Sequence, residues 1–331
     1  MSTYVQGSPE WFGQVAEEVI DPSRPIVDPH HHLWPVGGAL PYGLDELHGD
    51  TNSGHNITKT VFIECGAAYA TDLPAHLAPI GETRFVAGES QRDPAHLISG
   101  IVAHADLRRD DISSVLDEHE EVSAGLLRGI RDALARADHP EILAIPGHAS
   151  KDLYKNPDFR RGVALLGARG LTYDSWHYHY QNQEFLELAR AVPNTTMVLD
   201  HFGTPLGVGL YASQREEIFA QWKIDIAKIA ECPNVVAKLG GLAMPDNGFG
   251  WHEADRPPTS DEFLAVQKRY FEHTIECFGP DRCMFESNFP IDRFSLSYTV
   301  VWNAFKKLAA SFSETEKDNM FRATATRVYR L

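Results

Sequence analysis

The chain has 331 residues, 43% of them hydrophobic and 23% charged, which suits one large globular domain or two small ones. Lys and Arg total 30 against 46 Asp and Glu, and the net charge of -16 repels nucleic acid and anionic membrane surfaces. An anionic ligand therefore needs a basic pocket built locally.

The first 25 residues hold neither a basic stretch nor an apolar core of the kind that marks a secretory signal. They read as an N-terminal extension, with a single domain over 26–331. No apolar run approaches the ~18 residues of a membrane helix. Cys65, Cys232, Cys277 and Cys283 form no CxxC pair and read as reduced core thiols, so a cytoplasmic location is expected.

Short apolar runs then alternate with amphipathic stretches. Strands are predicted at Ile26–Asp28, Thr60–Glu64, Gly100–Ala105, Gly125–Ile130, Leu171–Asp174, Thr196–Asp200, Val235–Leu239 and Cys283–Glu286. Helices are predicted at Phe159–Ala168, Glu184–Ala191, Gln214–Ala230, Asp261–Phe278 and Tyr298–Ala310. Eight strand and helix units in one chain fit a (β/α)8 TIM barrel. Two long βα loops, Pro35 to about Thr58 and Gly240–Ser260, belong at the C-terminal face, where barrel enzymes keep their chemistry. The second carries Trp251 and reads as a lid or substrate wall. No GxGxxG or GxxxxGK[ST] follows a strand, so no nucleotide is expected.

The strongest local signal is Asp28-Pro29-His30-His31-His32-Leu33-Trp34, at the end of the first strand. Side chains alternate on an extended segment, so His30 and His32 face the same way and can ligate zinc or exchange protons. Arg128 and Arg131 on strand four are candidates for gripping a substrate carboxylate, with Arg131 favoured. Lys238, isolated in an apolar strand, must face a polar centre. Trp34, Trp176 and His179 are further substrate-contact candidates. His177 competes with His179 for the inward position, and Asp174 shares a face with Trp176. No GxSxG elbow or activated cysteine points to covalent catalysis.

Taken together, the first-strand motif, Leu199-Asp200-His201-Phe202-Gly203, Lys238 in Val236-Ala237-Lys238-Leu239-Gly240-Gly241-Leu242, and Ser287-Asn288-Phe289-Pro290 resemble the amidohydrolase superfamily. The similarity is greatest to its branch of lactonase-type hydrolases, which includes 2-pyrone-4,6-dicarboxylate lactonase and sugar-acid lactonases. The resemblance implies that His30, His32 and His201 surround one catalytic centre, with or without a divalent metal such as zinc or manganese. The family's strand-eight aspartate is Asn288 here, which is no base and brings no negative charge. Asp292 or His201 is then expected to take the proton from water, and Glu286 to lie one layer deeper. The expected reaction is ring opening of a carboxylated lactone or related cyclic ester, with a small anionic organic substrate. A metal-dependent decarboxylase of an aromatic or muconate-like acid and a non-catalytic barrel binding a small acid are the alternatives. Homo-oligomerisation is left open.

Overall fold

The computed structural model describes residues 4–331. All eight expected strands form: β1 (Pro25–His31), β2 (Asn56–Ile63), β3 (Ile98–Ala103), β4 (Leu127–Arg131), β5 (Thr172–Ser175), β6 (Met197–Leu199), β7 (Val235–Leu239) and β8 (Cys283–Phe285). They pair in parallel in chain order, and helices between them cover the outside, making a (β/α)8 TIM barrel. The five expected helices appear at Pro157–Ala168, Asn182–Ala191, Arg215–Ala230, Ser260–Phe278 and Tyr298–Leu308.

The seam between β8 and β1 is closed beyond the end of β8. Asn288 N donates to His30 O at 3.1 Å and His32 N to Phe289 O at 2.8 Å. The Asp28 carboxylate reinforces it, accepting from Ser287 N at 2.9 Å and from the Tyr298 hydroxyl at 2.8 Å. Pro29 has no N–H to give to the ladder, and the β1–β2 register shifts between Asp28 and His31 at that point. The shift turns His30 inward while His31 faces outward to Thr60 Oγ1, 3.0 Å away.

Inside the barrel the side chains lie in layers. Val27, Val61, Val102, Val198, Val236 and Met284 form the floor with Ala325 and Tyr329 of the last helix, Thr324–Tyr329. β-Branched residues suit this narrow interior. Above them the strands turn polar, with Asp174, Lys238, Asp200, Glu286 and His30 all fully buried.

Loops at the C-terminal ends of the strands build the rim. The first long connection contains the helix Leu44–Thr51, and the β7 connection contains only short turns at Pro245–Asn247 and Trp251–Glu253. A third long segment, 132–156 after β4, was not anticipated. Asp246 ties it to the β7 loop, accepting from Ala144 N at 2.7 Å and Ile145 N at 3.0 Å. The N-terminal extension packs on the same loop, with Trp11 buried and its indole N–H 3.2 Å from Ala254 O. Among the described residues no helix is long and apolar enough to cross a membrane.

Candidate active site at the C-terminal end of the barrel

A cavity of about 340 Å³ opens at the C-terminal ends of the strands. His32, His201, Asn288, Arg131 and Glu64 are its polar lining, and Trp34, Trp176, Ile145, Met244 and Ile291 are among its apolar walls. His30 lies just beneath, its ring centroid 5.0 Å from that of His32 and 4.5 Å from that of His201.

The three imidazoles are each anchored through Nδ1. His32 Nδ1 lies 2.8 Å from Ile63 O, and a carbonyl only accepts, so this nitrogen carries the proton. Glu286 serves the other two at once, with Oε2 2.8 Å from His30 Nδ1 and Oε1 2.7 Å from His201 Nδ1. Each Nε2 is thereby left with an open lone pair, and that of His30 is buried without a hydrogen-bond partner. Burial, reinforced by the positive charges of Lys238 and Arg131, holds His30 and His32 well below the usual histidine pKa, so both are neutral bases at pH 7.

The local sequence explains how these rings find room. His201 and Phe202 adopt φ of 52° and 59°, so the chain leaves β6 through a left-handed turn that swings His201 over the barrel. A Cβ on Gly241 would stand 2.1 Å from His201 Nδ1, and one on Gly240 would stand 2.4 Å from Glu286 Cγ. The Gly240-Gly241 pair after β7 is therefore required by the Glu286–His201 contact.

Beneath the imidazoles, Lys238 Nζ lies 3.0 Å from Asp174 Oδ2, 3.1 Å from Asp200 Oδ1, 4.0 Å from Glu286 Oε2 and 3.2 Å from His30 Nδ1. Burial opposes its charge, but Asp200, Asp174 and Glu286 outweigh burial and hold Lys238 above its ordinary pKa. Lys238 is fully buried and does not line the cavity, and it holds the carboxylates together.

Arg131 lines the cavity, and its charge is already engaged. Nε donates to Glu64 Oε1 at 2.9 Å, a second nitrogen donates to Glu64 O, and Nη1 is 3.5 Å from Asp200 Oδ2. A ligand carboxylate there shares the guanidinium with Glu64.

Asn288 donates from Nδ2 to Asp292 Oδ1 at 2.9 Å, leaving its carbonyl oxygen as the amide atom without a partner of its own. Asp292 sits behind Asn288, fully buried and not part of the cavity lining. Burial pushes its carboxyl up to about 7, against the stabilising contacts of Asn288, His201 and the Ala243 amide.

Three further candidates lie elsewhere. Arg128 is three residues from Arg131, and on a strand of period two the pair faces opposite sides. Its guanidinium instead donates to Gly125 O at 2.8 Å and Leu127 O at 3.0 Å. His179 is half-buried where Leu206 N donates to its Nδ1 at 3.3 Å, and His177 is enclosed by Tyr154, Ser175 and Asn182. Neither lines the cavity, because β5 ends at Ser175 and alternation stops there. Trp251 is likewise outside the lining, and Met244 is the β7-loop residue that reaches it.

The site also fits a divalent cation. Three imidazoles with anchored Nδ1 atoms follow the carboxylate–histidine–metal pattern. Asp174, Asp200, Glu286 and Glu64 bring four buried carboxylates against the two cations Lys238 and Arg131, an excess of negative charge that a divalent ion offsets. His30, Asp200 and His201 also offer ligand atoms that all lie within 4.8 Å of one another.

The amidohydrolase family model matches residues 27–331, nearly the whole chain. The chain belongs to the amidohydrolase family. Among curated proteins, it is 32% identical over 329 residues to an uncharacterized protein, y4mH, of Sinorhizobium fredii, covering 92% of this chain and 98% of that protein. It is 29% identical over 236 residues to L-fucono-1,5-lactonase of Burkholderia multivorans, covering 71% of this chain and 72% of that enzyme. The crystal structure of a zinc-bound amidohydrolase from Burkholderia multivorans superposes with a TM-score of 0.73 at 24% identity, over 93% of this chain and 100% of the other. The amidohydrolase barrel described here thus shares its fold with a metal-bearing relative.

Proposed function

We propose that this amidohydrolase opens a small cyclic ester by adding water to the carbonyl carbon. The observation that carries the reading is the set of three imidazoles, His30, His32 and His201, with every Nδ1 held and every Nε2 open at one end of a confined cavity. The lactonase relative supports the substrate class.

His30, His32 and His201 would hold a divalent ion, zinc or manganese. When bound, zinc would lower the pKa of a water to about 7, so that no strong protein base is needed. Asn288 fits that chemistry in a way an aspartate does not. Asp292 fixes the amide so that the carbonyl oxygen remains to accept a hydrogen bond from the attacking water and orient it. Arg131, charged at any working pH, supplies fixed positive potential as negative charge develops on the carbonyl oxygen. The Arg131–Glu64 pair also presents one cationic and one anionic group to ring substituents, carboxylate or hydroxyl. Trp34, Trp176, Ile145, Met244 and Ile291 pack on the ring and exclude water.

Ring opening of a lactone at neutral pH releases a proton. Metal-replete protein should acidify a weakly buffered solution of carboxylated or polyhydroxylated five- and six-membered lactones faster than spontaneous hydrolysis, read with a pH indicator. Release of carbon dioxide from candidate aromatic acids, with every lactone left intact, would replace this reading with that of a decarboxylase.

A further inference from the structure

We infer that Tyr329, on the last helix of the chain, is a positioning residue for the catalytic centre, acting through Asp174 and Lys238 on the imidazole of His30. The inference rests on the proposed role of His30.

The helix Thr324–Tyr329 plugs the N-terminal end of the barrel, and its side chains Ala325 and Tyr329 pack among the floor valines. The ring packs among apolar side chains of that layer, which a phenylalanine ring would also fill. Burying a hydroxyl there is costly unless it finds a partner, so the oxygen needs a specific explanation. The partner is Asp174 Oδ2, to which the Tyr329 hydroxyl donates. The same oxygen accepts from Lys238 Nζ at 3.0 Å, and Nζ stands 5.5 Å from the centre of the Tyr329 ring. Lys238 Nζ is in turn 3.2 Å from His30 Nδ1. A continuous line of contacts therefore runs from the barrel floor to the cavity. Thr172 Oγ1 holds the other carboxylate oxygen, Oδ1, at 2.8 Å.

The consequence for His30 follows from what surrounds its Nδ1. Glu286 Oε2 at 2.8 Å draws a proton onto Nδ1, whereas Lys238, a donor, competes for the same nitrogen as an acceptor. If Nδ1 keeps its proton, the buried Nε2 keeps its lone pair free; if Lys238 captures Nδ1, the proton moves to Nε2 and closes that lone pair. The location of Lys238 is thus decisive, and Asp174, clamped by Tyr329 and Thr172, shares with Asp200 in setting it.

The test is Tyr329→Phe, which keeps the ring and removes only the donor. Two quantities are read: zinc affinity of the metal-free protein by competition with a chromophoric chelator, and kcat and KM for lactone opening. Zinc affinity and kcat should each fall roughly tenfold, at the low end of losses for groups outside the metal's own ligands, with KM within about twofold. Thr172→Val, on the opposite carboxylate oxygen, should lower the same two quantities to a smaller extent. It carries the test if Y329F does not fold. Unchanged zinc affinity and kcat, whatever happens to the melting temperature, would overturn the inference and leave Tyr329 a packing residue. If wild-type protein opens no lactone, the proposed reaction fails, while the zinc measurement still decides the role of Tyr329.

Discussion

Replacing His201 by asparagine should lower lactone opening by at least ~100-fold while leaving the barrel folded, a loss no smaller than that for groups one step further from a metal. The geometry makes this substitution unusually clean. An asparagine amide nitrogen can stand near the position of Nδ1 and still donate to Glu286 Oε1, now 2.7 Å from the imidazole. Asparagine is also among the side chains that tolerate a left-handed backbone, and the φ of residue 201 is 52°. What disappears is Nε2 alone. Turnover by H201N, compared with far-UV circular dichroism and thermal melting, checks the expectation. Wild-type kcat/KM in a folded variant would remove His201 from the chemistry.

Glu286→Gln should cost about 10- to 100-fold in kcat and in zinc affinity, because one carboxylate orients two imidazoles. A glutamine offers one oxygen and one NH2 in place of the two acceptor oxygens that His30 and His201 now use. Whichever imidazole meets the NH2 must accept through Nδ1, which moves its proton to Nε2 and closes the lone pair facing the cavity. The substitution also removes one of three acids around Lys238, leaving Asp174 and Asp200 to balance it. Chelator competition and the lactone assay read the two effects separately. A fully active E286Q protein would show that the imidazoles do not need both Nδ1 contacts.

Most of the fold was legible because most strands are short apolar runs packed by their neighbours, a pattern the sequence carries locally. The first-strand histidines were legible for a related reason. Their spacing of two survives the register shift at Pro29, which lies before both of them. Strand four was harder, since Arg128 and Arg131 have opposite parity and the start of the strand decides which points inward. His177 and His179 lie beyond the strand, where alternation predicts nothing.

The acids of the centre were the larger omission. Glu64 entered the sequence reading only as the last residue of a predicted strand, and Asp200 was not singled out beside His201. Both needed contacts across the barrel, from Arg131 and Lys238, to show their purpose. A signal was nevertheless present, since a lysine buried in an apolar strand demands carboxylates at the same height on neighbouring strands. Asn288 is explained only by its neighbour. With Asp292 Oδ1 at 2.9 Å, an aspartate at 288 would set two carboxylates against each other, whereas the amide donates. The departure from the family's usual residue and the position of Asp292 are one feature.

The most direct test of the hydrolytic centre is elemental analysis of protein purified without a chelator and without a histidine tag, paired with lactone assays before and after chelation. Near-stoichiometric zinc or manganese, with activity lost on removal and restored by the ion, is the expected result. Metal-free protein that opens the lactone at the full rate would contradict it.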